Sequence, residues 1–166
     1  RELSIGANNV GNGAIELEIW CIRNVRFDAV LSPFFVFLTV FLKAVKILQE
    51  LGVNSFIFLG DAIGYIPSSS VISSLRKLGK NIKCIKGNHE QMLLDSIENE
   101  DKEYIWLKNG GDKTLQSFRA NYANQIPKLY IDLLESSIYY YEYKEYLFVH
   151  AGINFELENP LNDIHS

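Results

Sequence analysis

Histidine is scarce in this chain and its placement is lopsided. Of 166 residues only three are histidine, and none precedes His89. Aspartate is as thin at the start, with Asp28 the one Asp ahead of Asp61, so no Asp-x-His pair occurs upstream of it. Cysteine is limited to Cys21 and Cys84, which excludes a disulfide framework and a CxxC metal knuckle. Cys84 lies inside an apolar run and reads as a small buried hydrophobe rather than a reactive thiol. A reducing, cytoplasmic setting is the default. No apolar run reaches the ~20 residues that a spanning helix needs. The nearest approach is Val30 to Leu42, where Pro33 falls early and Lys43 and Lys46 follow. It begins too deep in the chain for a signal peptide, and a buried helix with no membrane partner is expected there, membrane association being the lesser alternative. Positive charge is not in excess either: Lys and Arg number 16 against 20 for Asp and Glu, a net charge of −4. That balance argues against a nucleic-acid partner, which would call for a basic face.

What is present is ordinary for a globular domain: 48% hydrophobic and 22% charged residues. A chain of this size buries roughly 70% of the surface its unfolded form exposes. Residues 1–14, rich in Gly and Asn, read as loop. Gly6, Gly11 and Gly13 make no phosphate loop, since no strand precedes them and no Lys-Ser/Thr follows. Ala14 to Ile22 has weak strand character. Thr39 to Leu51 has helical spacing and stops at Gly52. Asn54 to Leu59 is a continuous apolar strand of the kind buried on both faces. Ser70 to Leu78 reads as a helix and Asn81 to Ile85 as a strand, so the centre alternates helix and strand, the pattern of an α/β sheet covered by helices. Beyond Glu90 the pattern turns helical, with breaks at Asn109-Gly110-Gly111 and before Pro127. It closes on a hairpin-like pair, Ile138 to Glu142 and Tyr146 to Val149.

Three strand endings carry the chemistry. Phe56 to Gly60 stops at Asp61; Ile82 to Gly87 stops at Asn88-His89-Glu90; Glu145 to Val149 stops at His150-Ala151-Gly152. Together they would set a carboxylate, an amide and imidazoles on one edge of one sheet, where α/β proteins bind ligands. Asp61 after a buried strand must be paired, hydrogen-bonded or metal-bound, or else it is a plain turn residue. The amide oxygen of Asn88 suits a hard or borderline divalent cation. An imidazole has an unperturbed pKa close to neutral pH, so a histidine at position 89 can serve as a general acid. A helix beginning near Glu90 turns its positive end toward whatever binds, which suits phosphate. The plain alternative makes Asn88 an N-cap and His89 and Glu90 surface residues of a first turn. A lone His150 is more often structural than a ligand.

Taken jointly, Gly60-Asp61, Gly87-Asn88-His89-Glu90 and Val149-His150-Ala151-Gly152 resemble the metallophosphoesterase (calcineurin-like) superfamily, in that family's order. The run Trp106-Leu107-Lys108-Asn109-Gly110-Gly111 with Thr114-Leu115 is similar to its bacterial serine/threonine protein phosphatase-like branch. The resemblance covers roughly Leu38 to the C-terminus, so residues 1–37 form a divergent segment and 38–166 a metallophosphoesterase domain. It implies an α/β calcineurin-like phosphoesterase fold of helix-flanked sheets, incomplete at the C-terminus. It also implies a hydrolase acting on phosphate esters through two divalent metals, ~3.5–4 Å apart, that activate water. Mn²⁺ is the expected ion, with Fe, Zn and Ni as alternatives. By the same resemblance Asp61 bridges the metals, Asn88 and His150 bind the second metal, Asn88 and His89 meet substrate, and His89 is the catalytic acid. The expected partner is a phosphoprotein or a nucleotide.

The chain departs from that family at three places. The family's first strand ends in Asp-x-His, which holds the first metal, and here the matching region reads Leu31-Ser32-Pro33. After Asp61 the protein phosphatases continue Asp-Arg-Gly, whereas this chain has Gly64-Tyr65-Ile66-Pro67 and loses a bidentate phosphate ligand. A later Gly-His motif is missing, and His165 reads as a tail residue. Missing C-terminal strands would leave a sheet edge open to association. The readings left standing are an active phosphoesterase, a truncated or degenerate non-catalytic copy, and a dinucleoside-polyphosphate or nucleotide hydrolase.

Overall fold

The computed structural model describes the backbone of residues 3–5, 19–21, 29–31 and 38–41, and backbone and side chains of residues 42–64, 68–153, 156–158 and 161. Its main sheet has five strands in the order β1 (Leu3–Ile5), β2 (Ile19–Cys21), β3 (Ala29–Leu31), β4 (Phe56–Phe58) and β5 (Ile82–Cys84). The first three are antiparallel neighbours; β3, β4 and β5 run parallel, with Val30 opposite Ile57 and Ile57 opposite Lys83. Parallel neighbours need crossovers, and these are helices α1 (Leu38–Glu50) and α2 (Ser68–Leu78). The loop expected over residues 1–14 thus contains a strand, because Leu3, Ser4 and Ile5 find partners on β2 that no local pattern announces. The buried helix expected over Val30–Leu42 is corrected in the same way. Ala29–Leu31 is a strand and the helix starts at Leu38; residues 32–37, Pro33 among them, lie outside the described residues.

β4 shows why the sheet is buried on both faces. Phe56 and Phe58 point one way, into a core with Ala44, Val45 and Leu48 of α1 and Val71, Ile72 and Leu75 of α2. Ile57 points the other way and packs with Ile85, Leu59, Tyr141 and Phe148. The period-two alternation of a strand produces this division. Burying side chains of this size contributes about 1.5–3 kcal/mol each.

The second face is covered not by a helix but by a second sheet, the antiparallel pair β6 (Tyr140–Tyr143) and β7 (Tyr146–Val149). Ile138 stitches the two together: its N–H donates to Cys84 O at 3.0 Å, and its carbonyl accepts from Lys86 N at 2.7 Å. The three strand endings therefore belong to two sheets, and the expectation of one edge on one sheet is corrected. Between β5 and β6 runs the helical half: α3 (Asn88–Glu98), α4 (Glu103–Trp106), α5 (Asp112–Phe118) and α6 (Lys128–Glu135). Trp106 is fully buried in the main core, and Asn109 and Gly110 break the helical path between α4 and α5. Pro127 sits at the N-cap of α6, where its missing N–H costs nothing. No helix among the described residues is long and apolar enough to cross a membrane.

Candidate metal centre

β4 delivers Asp61 through a sharp turn. Gly60 takes φ +90° and Asp61 φ +54°. A Cβ at Gly60 would stand 2.7 Å from both Gly87 N and His150 Nδ1, so only glycine lets the three motifs close on one another. A non-glycine residue in the left-handed region is costly unless its surroundings hold it, and Glu90 does so. Its Oε2 accepts from Asp61 N at 2.7 Å and Gly87 N at 2.8 Å, and its Oε1 from Ile63 N at 3.3 Å. Glu90 is the third residue of α3, so one carboxylate both caps that helix and fixes the loop after β4. It is 2% exposed. Burial pushes its pKa up, the Asp61 charge adds to the rise, and the backbone amides pull against both.

Asn88 and His89 are the first two helical residues of α3, and His89 N lies 3.4 Å from Asp61 Oδ1. The positive end of α3 thus faces the Asp61 carboxylate, a favourable pairing. The Nδ1–Cε1 edge of the His89 ring occupies the space a side chain at Gly64 would need, with Cε1 2.8 Å from that Cβ position.

His150 comes from the other sheet, one residue past β7. Its Nδ1 lies 2.6 Å from Leu59 O. A carbonyl can only accept, so Nδ1 carries the hydrogen. Its Nε2 then faces Asn88 Oδ1 at 3.1 Å and Asp61 Oδ2 at 3.4 Å. In the neutral ring with hydrogen on Nδ1, three lone-pair donors from three strand endings converge with no proton among them. Such a set fits a divalent cation, and an imidazole whose second nitrogen is tied to a backbone carbonyl is the usual form of a metal-ligating histidine. One of the three is an amide, and among the described residues no group of three or more His, Cys, Asp and Glu is placed to hold a metal ion.

Of the four residues singled out from the sequence, Asp61, Asn88 and His150 meet through their side chains, while His89 approaches Asp61 by its backbone N–H and its ring lies against Gly64. His165 and Tyr65 to Pro67 lie outside the described residues. β3 stands one helix ahead of β4, where the family's Asp-x-His strand belongs, and it runs into Leu31-Ser32-Pro33. Glu90 is the residue the sequence reading undervalued. It is no surface residue, and its place three positions after the helix N-cap, the acidic position of a capping box, was the available signal. Two small sheets, helices on one face, and oxygen and imidazole donors gathered at the strand ends define a metal-dependent phosphoesterase architecture. The chain belongs to the calcineurin-like phosphoesterase family, whose model matches residues 35–165. No curated protein matches it.

Proposed function

We propose that this domain hydrolyses phosphate esters in the manner of a serine/threonine protein phosphatase, with Asp61, Asn88 and His150 holding a divalent cation and His89 acting as the general acid. The observation that carries the reading is the approach of Asp61 Oδ2 and Asn88 Oδ1 to His150 Nε2, at 3.4 and 3.1 Å. Mn²⁺ suits a set of two oxygens and one imidazole. A cation bound there supplies charge neutralisation at the phosphoryl oxygens and an acidified water. Asp61 brings the negative charge that retains the ion, and the α3 N-terminus offers its positive end to the phosphate. His89 gives a proton from Nε2 to the leaving alkoxide oxygen, since its Nδ1 side is packed against Gly64. Gly64 to Pro67 stand where the protein phosphatases carry Asp-Arg-Gly, which supports a small phosphoester, nucleotides included, alongside a phosphoprotein.

A second reading, a non-catalytic copy of the fold, is favoured by one feature. The sequence reads Leu31-Ser32-Pro33 where the family carries Asp-x-His, and none of these is a good metal ligand. The two readings separate on hydrolysis of an aryl phosphate with added Mn²⁺, wild type against Asp61→Asn. A wild-type rate well above the variant's supports the enzyme. Equal, negligible rates with Mn²⁺ still binding to wild type support the non-catalytic copy. Absence of Mn²⁺ binding by calorimetry sinks the metal assignment itself.

A further inference from the structure

The run from Trp106 to Thr114 has no part in the site just described, yet it reaches that site's floor. Gly64 N donates to Thr114 Oγ1 at 2.8 Å, in a fully buried hydrogen bond between α5 and the loop that carries Asp61. Thr114 Oγ1 also lies 3.4 Å from Gly110 O and 3.5 Å from Ser68 Oγ. Gly110 takes φ +94° at the break between α4 and α5, and a Cβ there would stand 3.1 Å from both Gly64 Cα and Gly64 C. The two glycines therefore touch backbone to backbone. On its other side Gly64, at φ +92°, makes room for the His89 ring. One short chain of contacts thus joins Thr114 and Gly110 to Gly64, and Gly64 to His89.

We propose that Thr114 is a positioning residue: its hydroxyl, with the Gly110 backbone, fixes Gly64 and so sets the His89 ring and the Asp61 loop for metal and phosphate. The inference rests on the roles given to His89 and Asp61 above. A loop whose two end glycines are both in the left-handed region has many alternative conformations. Glu90 fixes its start and Thr114 its end; without the second anchor the His89 ring loses one wall. The hydroxyl is needed for its lone pair, and the methyl group only fills space. A purely structural role for Thr114 would therefore track volume, whereas the positioning role tracks the hydroxyl.

The test compares Thr114→Val, which keeps the shape, with Thr114→Ser, which keeps the hydroxyl. Three quantities are read on the full chain: amide exchange over residues 60–64 without metal, the His89 Cε1–H resonance, and Mn²⁺ affinity by calorimetry. In Thr114→Val, exchange at Gly64 is expected to rise about tenfold and Mn²⁺ affinity to fall about tenfold, with α1 exchange unchanged, as for loss of one buried hydrogen bond. Thr114→Ser should stay within about threefold of wild type in both, and only Thr114→Val should move the His89 resonance. Should Thr114→Val not fold, Thr114→Ala read against Thr114→Ser isolates the same hydroxyl. Unchanged Gly64 protection in Thr114→Val or Thr114→Ala overturns the proposal, as does a Thr114→Ser variant no better than either. Wild type that takes up no Mn²⁺ overturns the metal reading instead, and the exchange and the His89 resonance then decide the positioning role alone.

Discussion

Glu90 places a carboxyl group in the interior, 2% exposed and beside another carboxylate; burial raises its pKa, and three backbone amides that donate to it favour the charged form against that rise. Removing the acceptor should cost more than removing the charge. Glu90→Ala leaves buried N–H groups without a partner and is expected to lose about 3 kcal/mol or more in urea unfolding. Glu90→Gln keeps one oxygen and relieves the repulsion with Asp61, so a loss of about 1 kcal/mol is expected. Equal losses would show that the charge matters rather than the amides. Cys84 is another residue whose chemistry its surroundings reset. Burial first, and then the Glu90 charge, push its thiol from 9.0 up to about 12. Native protein at pH 8 should therefore alkylate far more slowly than unfolded protein, by roughly the thousandfold difference in thiolate. Because the folded state holds this proton more tightly, the stability it contributes is complete below pH 9 and declines as pH rises from 9 toward 12. Fast native alkylation at pH 8 would contradict the burial.

At the scale of elements, the turn after β4 is a tight joint between the three motifs. Gly60→Ala puts a Cβ 2.7 Å from Gly87 N and from His150 Nδ1 at a φ of +90°. A loss of at least about 2 kcal/mol is expected, together with loss of Mn²⁺ binding; calorimetry and thermal melting on one sample read both. A variant of wild-type stability and affinity would show that the motifs do not close as described. This scale also shows what was legible beforehand. α1, α2, β4 and β5 follow from apolar spacing ended by glycine, a purely local signal. Residues 3–5 carried none, since a three-residue strand exists only by virtue of its partner. The convergence of Asp61, Asn88 and His150 was legible because a carboxylate, an amide and an imidazole each stand directly after an apolar strand. Their division between two sheets was not, since a strand's sequence says which faces are buried but not what covers them. Glu90 and Thr114 act through hydrogen bonds to backbone amides 29 and 50 positions away, and backbone amides leave no mark in sequence.

For the whole molecule, a bound cation should raise stability by mass action, by about 2.7 kcal/mol at a hundredfold excess over Kd. At this chain length that corresponds to roughly 5–10 °C in the melting temperature. Mn²⁺ should produce the shift in wild type and fail to do so in Asp61→Asn, as scanning calorimetry would read. A shift of equal size in both would place the binding elsewhere.

The origin of the three ligands has a mechanical side. Asp61 and Asn88 follow strands of one layer and His150 a strand of the other, while the small cluster of Ile57, Ile85, Leu59, Tyr141 and Phe148 is the apolar contact joining the layers. An ion seated among the three would act as a rivet through both plates. Its removal would then loosen the β6–β7 flap before the rest of the domain yields, so in this protein losing the metal and starting to unfold would be one event.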